Sequence, residues 1–155
     1  MSDQREKTVC FTGHRRILHK DVEKRLEEIV SVLAEDGFVN FIAGGALGFD
    51  TLAEKCILRL KEKYPFIRLM VALPYRAHGT NWDGRRFCEY KSLVSQADAV
   101  VVLSETYHRG CMHARNRYIV DCSSVCVSYR YKDTGGTAYT EDYALKKGLT
   151  VISVV

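Results

Sequence analysis

Short runs of β-branched and small apolar residues alternate along this chain with longer stretches of helical spacing, and few folds accommodate that order. "KTVCFT" (Lys7–Thr12) reads as a strand. The stretch near His19–Asp36 places Val22, Leu26, Ile29, Val30 and Leu33 at helical intervals and ends at Gly37. The pattern then repeats. Strands are predicted over Phe38–Ala43, Ile67–Leu73, Ala99–Leu103 and Val125–Tyr129, and a terminal strand over Thr150–Val155. Helices are predicted over Thr51–Lys63, Arg85–Gln96, Cys111–Ser123 and Thr137–Lys147. Runs such as "AVVVL" carry no polar alternation, so both of their faces are expected to be buried, as a parallel sheet requires. Helices between such strands indicate an α/β, doubly wound, Rossmann-like domain. Three layers are expected, around a mostly parallel sheet of about six strands.

The chain has 155 residues, 46% of them hydrophobic and 27% charged, which suits one domain with a proper core. No internal repeat, low-complexity tract or linker interrupts it, so residues 1–155 are expected to form a single domain. No apolar run approaches the roughly 18 residues of a membrane span, and "MSDQREK" is polar. The expectation is a cytoplasmic protein without a membrane partner. Its six cysteines (10, 56, 88, 111, 122 and 126) are scattered, and reduced thiols are expected. Cys111 lies near His113, and His108 and Cys88 are further thiol and imidazole groups. Without a CxxC or HxxxH pair, however, no metal site is expected. A net charge of +4 permits a phosphate or nucleic-acid partner without requiring one.

In a parallel sheet all strands end on one rim, where ligands bind near the point of strand-order reversal. The loops leaving those ends are Gly13–Arg16, Gly44–Asp50, Pro74–Gly84, Ser104–Gly110 and Arg130–Gly136. They hold His14, Arg15, Arg16, Arg76, His78, His108, Arg109, Arg130 and most of the glycines. The opposite-edge loops "EDGF" and "KGLT" are short and carry no comparable set. In "VCFTGHRR", a buried strand therefore ends on cations that either decorate a turn or face an anion.

"AGGALGFDTLAEK" sets Gly44, Gly45 and Gly48 between a strand and a helix, and its spacing is neither GxGxxG nor a P-loop. These glycines either shape a tight turn or let backbone N–H groups approach a phosphate. Thr51 and Glu54 have capping-box spacing. Asp50 either binds a ribose hydroxyl or complements the helix dipole. In "DTGGTAYTE", Gly135, Gly136 and Thr137 open a helix on the same rim and suit a phosphate. Arg115 and Arg117 stand near a helix start, where cations oppose the dipole, so a ligand or partner contact competes with a solvated face. Asn116 offers an amide to a base or to backbone. Trp82 either stacks on a base or covers a pocket, or packs back onto the core.

Taken in order, "FTGHR", "AGGALGFDTLAEK", "NW", "ADAVVVLSE", "RNRYIVDCS" and "GGTAY" resemble the SLOG superfamily, with its YpsA-like branch nearest and the resemblance spanning the whole chain. That superfamily also holds the DprA/Smf DNA-processing proteins and the LOG/lysine-decarboxylase-like phosphoribohydrolases. The resemblance implies a Rossmann-like fold that binds nucleotides or nucleotide-derived ligands, in a sensor or regulatory role. By motif, Gly13, His14 and Arg15 fall in the first pocket loop and Gly44, Gly45, Gly48 and Asp50 in the second. Ser104 and Glu105 fall at the end of the fourth strand, and Gly135, Gly136 and Thr137 in the phosphate loop. Arg115 and Asn116 join the expected ligand set, with His14 as a hydrogen bonder or proton carrier.

Two other functions follow from sister branches. One is cleavage of the N-glycosidic bond of a nucleoside monophosphate, with Glu105, Glu141 and His14 as candidate catalytic groups. The LOG pattern PGGxGTxxE is nevertheless incomplete here: the loop lacks its proline and second glycine, and Glu141 follows Thr137 by four residues instead of three. The other is binding of single-stranded nucleic acid through "ARNRYIVDCS". No further cofactor is implied, and apolar helix surface is compatible with a homo-oligomer.

Overall fold

A computed structural model describes residues 2–155. Six parallel strands form one sheet: β1 (Thr8–Gly13), β2 (Asn40–Ala43), β3 (Arg68–Leu73), β4 (Ala99–Val102), β5 (Val125–Tyr129) and β6 (Thr150–Ser153). Their spatial order is β4-β3-β2-β1-β5-β6. The chain steps outward from β1 to β4 and then returns to the other side of β1, so the strand order reverses between β1 and β5. Val9 pairs with both Phe41 and Val125 in register, which makes β1 the central strand of this arrangement. The helices are α1 (Ser2–Glu6), α2 (Val22–Glu35), α3 (Phe49–Leu60), α4 (Gly84–Gln96), α5 (Cys111–Asp121) and α6 (Gly136–Lys146).

Successive strand residues serve opposite faces, as the two-residue period demands. Val9 and Phe11 of β1, Phe41 and Ala43 of β2, and Val125, Val127 and Tyr129 of β5 join the larger core, with Leu26 and Val30 of α2 and Phe49 and Ile57 of α3. Tyr90 brings α4 onto the same side. Cys10, Ile42, Ala72 and Cys126 face the other way and pack with Ile119 and Val120 of α5 and Ala144 of α6. The result is the expected three layers, with each large side chain burying roughly 1.5–3 kcal/mol of transfer free energy. Cys10 and Cys126 are register partners in adjacent strands, and all six cysteines carry free thiols.

One element was not foreseen and one local reading needs correction. The N-terminal polar segment contains α1, tied down by Arg5 Nε donating to the Ser123 carbonyl at 3.1 Å. The misread start is that of α3, which begins at Phe49, so Thr51 lies inside its first turn and donates to the Ala46 carbonyl. Glu54 is 1% exposed and belongs to the interior instead of closing a capping box. Phe49 has no place outside the core: its ring stacks on Tyr129 with centroids 5.6 Å apart and draws the helix start two residues earlier. Among the described residues, no helix is long and apolar enough to cross a membrane.

Candidate nucleotide-type anion site

Three loops meet at the reversal point between β1 and β5. The end of β1 supplies Gly13, His14 and Arg15, the β2–α3 loop supplies Ala46 and Leu47, and the β5–α6 loop supplies Lys132 and Gly135–Thr137. They enclose a cavity of about 290 Å³ with Phe11, Met112 and Ile119 as apolar lining and Asp50, Arg115 and Asn116 as polar lining. A larger depression of about 830 Å³ runs along α2, where Lys20, Glu23, Lys24, Glu27 and Arg59 mix charges of both signs. It has no glycine turn, and Glu23 already stands in the first turn of α2, so it reads as a solvated groove.

The first loop is held from two sides. The His14 N–H donates to the Tyr129 carbonyl at 3.3 Å, and the His14 carbonyl accepts from Phe49 N–H at 3.2 Å. The Tyr131 hydroxyl donates to the Arg16 carbonyl at 2.8 Å. The His14 ring lies 4.2 Å from that of Tyr131, and its Nε2 is a buried atom without a hydrogen-bond partner. With the residue only 7% exposed, an unmet polar atom here is costly unless something in the cavity meets it. Burial, with Lys132 and Arg130 nearby, lowers the pKa of His14, so its imidazole is neutral at pH 7. Arg15 and Lys132 are exposed at the rim and form no salt bridge among the described residues.

The glycines divide by what a side chain would strike. A Cβ at Gly13 would lie 2.3 Å from the Phe49 ring, and one at Gly48 would lie 2.0 Å from the Arg15 carbonyl oxygen. Gly44 faces the Arg115 guanidinium at 2.7 Å, and Gly45 faces Leu73 at 2.9 Å. These four glycines make room for protein. Around Gly135, by contrast, nothing lies within 4 Å, and Gly136 meets only Asn116 Nδ2 at 3.9 Å. Gly135 caps α6 without a side-chain hydrogen bond, leaving the helix's first N–H groups open to the cavity.

The amides of the β2–α3 loop are put to internal use. Ala46 N–H donates to Asp50 Oδ2 at 3.2 Å, the Gly44 N–H also acts on Asp50, and the Gly45 N–H acts on Glu54. Arg115 closes the cluster by donating to the Gly44 carbonyl and, at 2.8 Å, to Asn116 Oδ1. Because Arg115 only donates, the Asn116 oxygen must face it, which turns the amide NH₂ toward Gly136. Burial raises the pKa of Asp50, with Arg115 pulling it back, and holds the Glu54 carboxyl well above its usual range with Asp50 adding to the rise. His78 Nε2 sits 3.2 Å from the Gly45 carbonyl and therefore carries the proton; burial lowers its pKa to about 4.

Arg115 is thus not on a solvated face: it is 6% exposed, lines the cavity and ties α5 to the β2–α3 loop. Arg117 donates to the Tyr139 hydroxyl at 2.8 Å, outside the cavity lining. Thr137 lines the cavity, whereas Ser104 and Glu105 do not. The Ser104 hydroxyl donates to the Thr106 carbonyl, and Glu105 forms a bidentate pair with Arg76 at 2.7 and 2.8 Å. Glu141 is also outside the lining, paired with Arg130 at 2.7 Å. Trp82 packs on His78 and Tyr90, with centroids 5.1 Å away in each case. Sequence reasoning passed over Lys132; its place between β5 and the Gly-Gly turn was the available signal.

A family model described as the YspA SLOG family (YpsA) matches residues 6–150. The SPbeta prophage-derived protein YoqJ of Bacillus subtilis is 28% identical over 136 residues, covering 80% of each chain. A UPF0398 protein of Halalkalibacterium halodurans is 27% identical over 138 residues, covering 87% of this chain and 72% of its own. Among solved structures, DNA processing protein A from Helicobacter pylori, described for its single-stranded DNA binding mode, superposes with a TM-score of 0.70 at 19% identity. That likeness covers 97% of this chain and 66% of the other, and it shows a shared fold.

Proposed function

This chain belongs to the YspA SLOG family, and from that premise we propose that it binds a phosphorylated, nucleotide-type ligand in the cavity between β1 and β5. One observation carries the reading: the unfilled Gly135–Gly136 turn at the start of α6 opens onto the same cavity that His14, Arg15 and Lys132 line. The phosphate sits on the first amides of α6, with Thr137 and the Asn116 amide as further donors. Arg15 and Lys132 supply charge at the rim. His14 meets a hydroxyl or ring atom of the ligand, and Phe11, Met112 and Ile119 offer an apolar wall. Binding, in a sensing or regulatory capacity, is favoured over N-glycosidic cleavage because Glu105 and Glu141 are engaged in salt bridges away from the cavity.

The test is mass spectrometry of small molecules that co-purify with the native protein, followed by a thermal-shift panel of nucleotides. Arg15→Ala and Gly136→Asp should each remove the shift; retention of every shift in both variants refutes the reading. Release of free base from a nucleoside monophosphate would restore the hydrolase alternative.

A second reading, single-stranded nucleic acid on this rim, is favoured by the likeness to a DNA-binding neighbour and by the exposure of Arg15, Arg16 and Arg109. It predicts affinity that rises with strand length and falls steeply with salt, whereas a mononucleotide shows neither.

A further inference from the structure

Two glycine turns lead into helices that border the same cavity, yet only one of them is empty. Resting on the phosphate reading above, we propose that the cavity selects ligands carrying a single phosphate monoester on a sugar and rejects diphosphates, because the Asp50 carboxylate already occupies the second anion-binding turn.

The β2–α3 loop has the ingredients of a phosphate cradle: three glycines, successive inward N–H groups and the start of a twelve-residue helix. What fills it is part of the chain. Asp50 accepts the Ala46 N–H at 3.2 Å, and the Gly44 and Gly45 amides act electrostatically on Asp50 and Glu54. No space remains beside the glycines for a ligand oxygen, since Gly44 is packed by Arg115, Gly45 by Leu73 and Gly48 by the Arg15 backbone. A second phosphate extending from the α6 turn would meet a buried carboxylate on this wall instead of free amides.

The charges of the lining agree. Arg15, Lys132 and Arg115 are cationic and Asp50 is anionic, so the wall carries a net +2. A phosphate monoester near neutral pH carries about −1.5 to −2, and a second phosphate would exceed the match. A cavity of about 290 Å³ is also at the small end for ligand sites, sufficient for a pentose phosphate with a base at its mouth. The His14 side chain, which lines the cavity, supplies the second ligand contact, to a hydroxyl or ring atom instead of to another phosphate.

Calorimetric titration of the whole chain with ribose 5-phosphate, and with the 5′-mono- and diphosphates of adenosine, guanosine, cytidine and uridine, tests this. For each base the monophosphate should bind about tenfold more tightly or better. Ribose 5-phosphate binding within a few-fold of the best nucleotide assigns recognition to the sugar phosphate; much weaker binding assigns it to the nucleoside monophosphate. Asp50→Asn should narrow the gap between mono- and diphosphate, and if that variant does not fold the wild-type comparison decides alone. Diphosphates bound as well as monophosphates, with Gly136→Asp abolishing both, would overturn this inference while leaving the phosphate reading intact. Absence of binding by every compound at millimolar concentration would overturn both.

Discussion

Arg115 reaches from α5 to donate to the carbonyl oxygen of Gly44 on β2's exit loop, and a Cβ at position 44 would come within 2.7 Å of its guanidinium. The absence of a side chain at one position makes room for a long one 71 residues away. That contact sets a buried cation beside Asp50 and fixes the loop that forms one wall of the cavity.

Removing the cation should therefore cost folding stability before it costs binding. Arg115→Leu removes the hydrogen bonds to the Gly44 carbonyl and to Asn116 and the buried cation near Asp50, with an expected loss of about 1–3 kcal/mol. Urea unfolding checks it. The double variant with Asp50→Asn should lose less than the sum of the two single changes, because the groups are coupled.

The glycines should separate into two classes under alanine substitution. Gly48 has φ +83 and its Cβ would strike the Arg15 carbonyl, so Gly48→Ala should cost at least ~2 kcal/mol. Gly136 has open space and φ outside the left-handed region, so Gly136→Ala should stay within about 0.5 kcal/mol of wild type. The second variant should still weaken phosphate binding by crowding the α6 amides. Thermal unfolding and calorimetric titration of the same samples separate the two effects.

At the rim, charge removal should do the reverse. Arg15→Ala and Lys132→Ala involve exposed side chains without salt bridges, so stability should move by less than about 0.5 kcal/mol. Each should weaken binding of a nucleoside monophosphate by about 1–2 kcal/mol, with the effect shrinking as salt rises. Unchanged affinity in both would remove the rim from the site.

Two buried groups should shape the pH dependence of stability with opposite signs. His78 titrates at about 4 in the folded chain against 6.5 in the unfolded one. Its contribution is complete above pH 6.5 and is lost as pH falls toward 4. His78→Gln keeps a donor for the Gly45 carbonyl and should flatten that acid limb. Glu54 has a raised folded value against 4.5 unfolded, so its contribution is complete below pH 4.5 and is lost as pH rises through the raised value. Glu54→Gln should flatten the alkaline decline. Denaturant midpoints measured from pH 4 to pH 9 test both limbs.

Much of the architecture was open to reading from local pattern. "VCVSY" announces a strand buried on both faces, and Val22, Leu26, Val30 and Leu33 announce one face of a helix, because strand and helix periods act over neighbouring residues. "AVVVL" was expected to be buried likewise but is the edge strand β4, with Val100 exposed, because nothing in the run marks its place at the edge of the sheet. Convergence of the glycine loops on one rim then follows from parallel strands. The start of α3 was misjudged where local and tertiary demands conflict: Thr51 and Glu54 have cap spacing, but the core takes Phe49 and Glu54. Lys132 was overlooked because its neighbours hint only at a loop position, and the fold alone brings it to the cavity that His14 lines.

The alternation of apolar runs and helical periods decided that this chain builds a parallel sheet with its glycines and cations on one edge, since that information is carried within each segment. Only the folded chain decided which glycines are packed by protein and which face open space. Gly13, Gly44 and Gly48 are filled by Phe49, Arg115 and Arg15, groups brought to them by packing, whereas Gly136 faces open space. In the sequence "GGA" and "GGT" are near equals; what separates them is the distant side chain that arrives at one and not at the other.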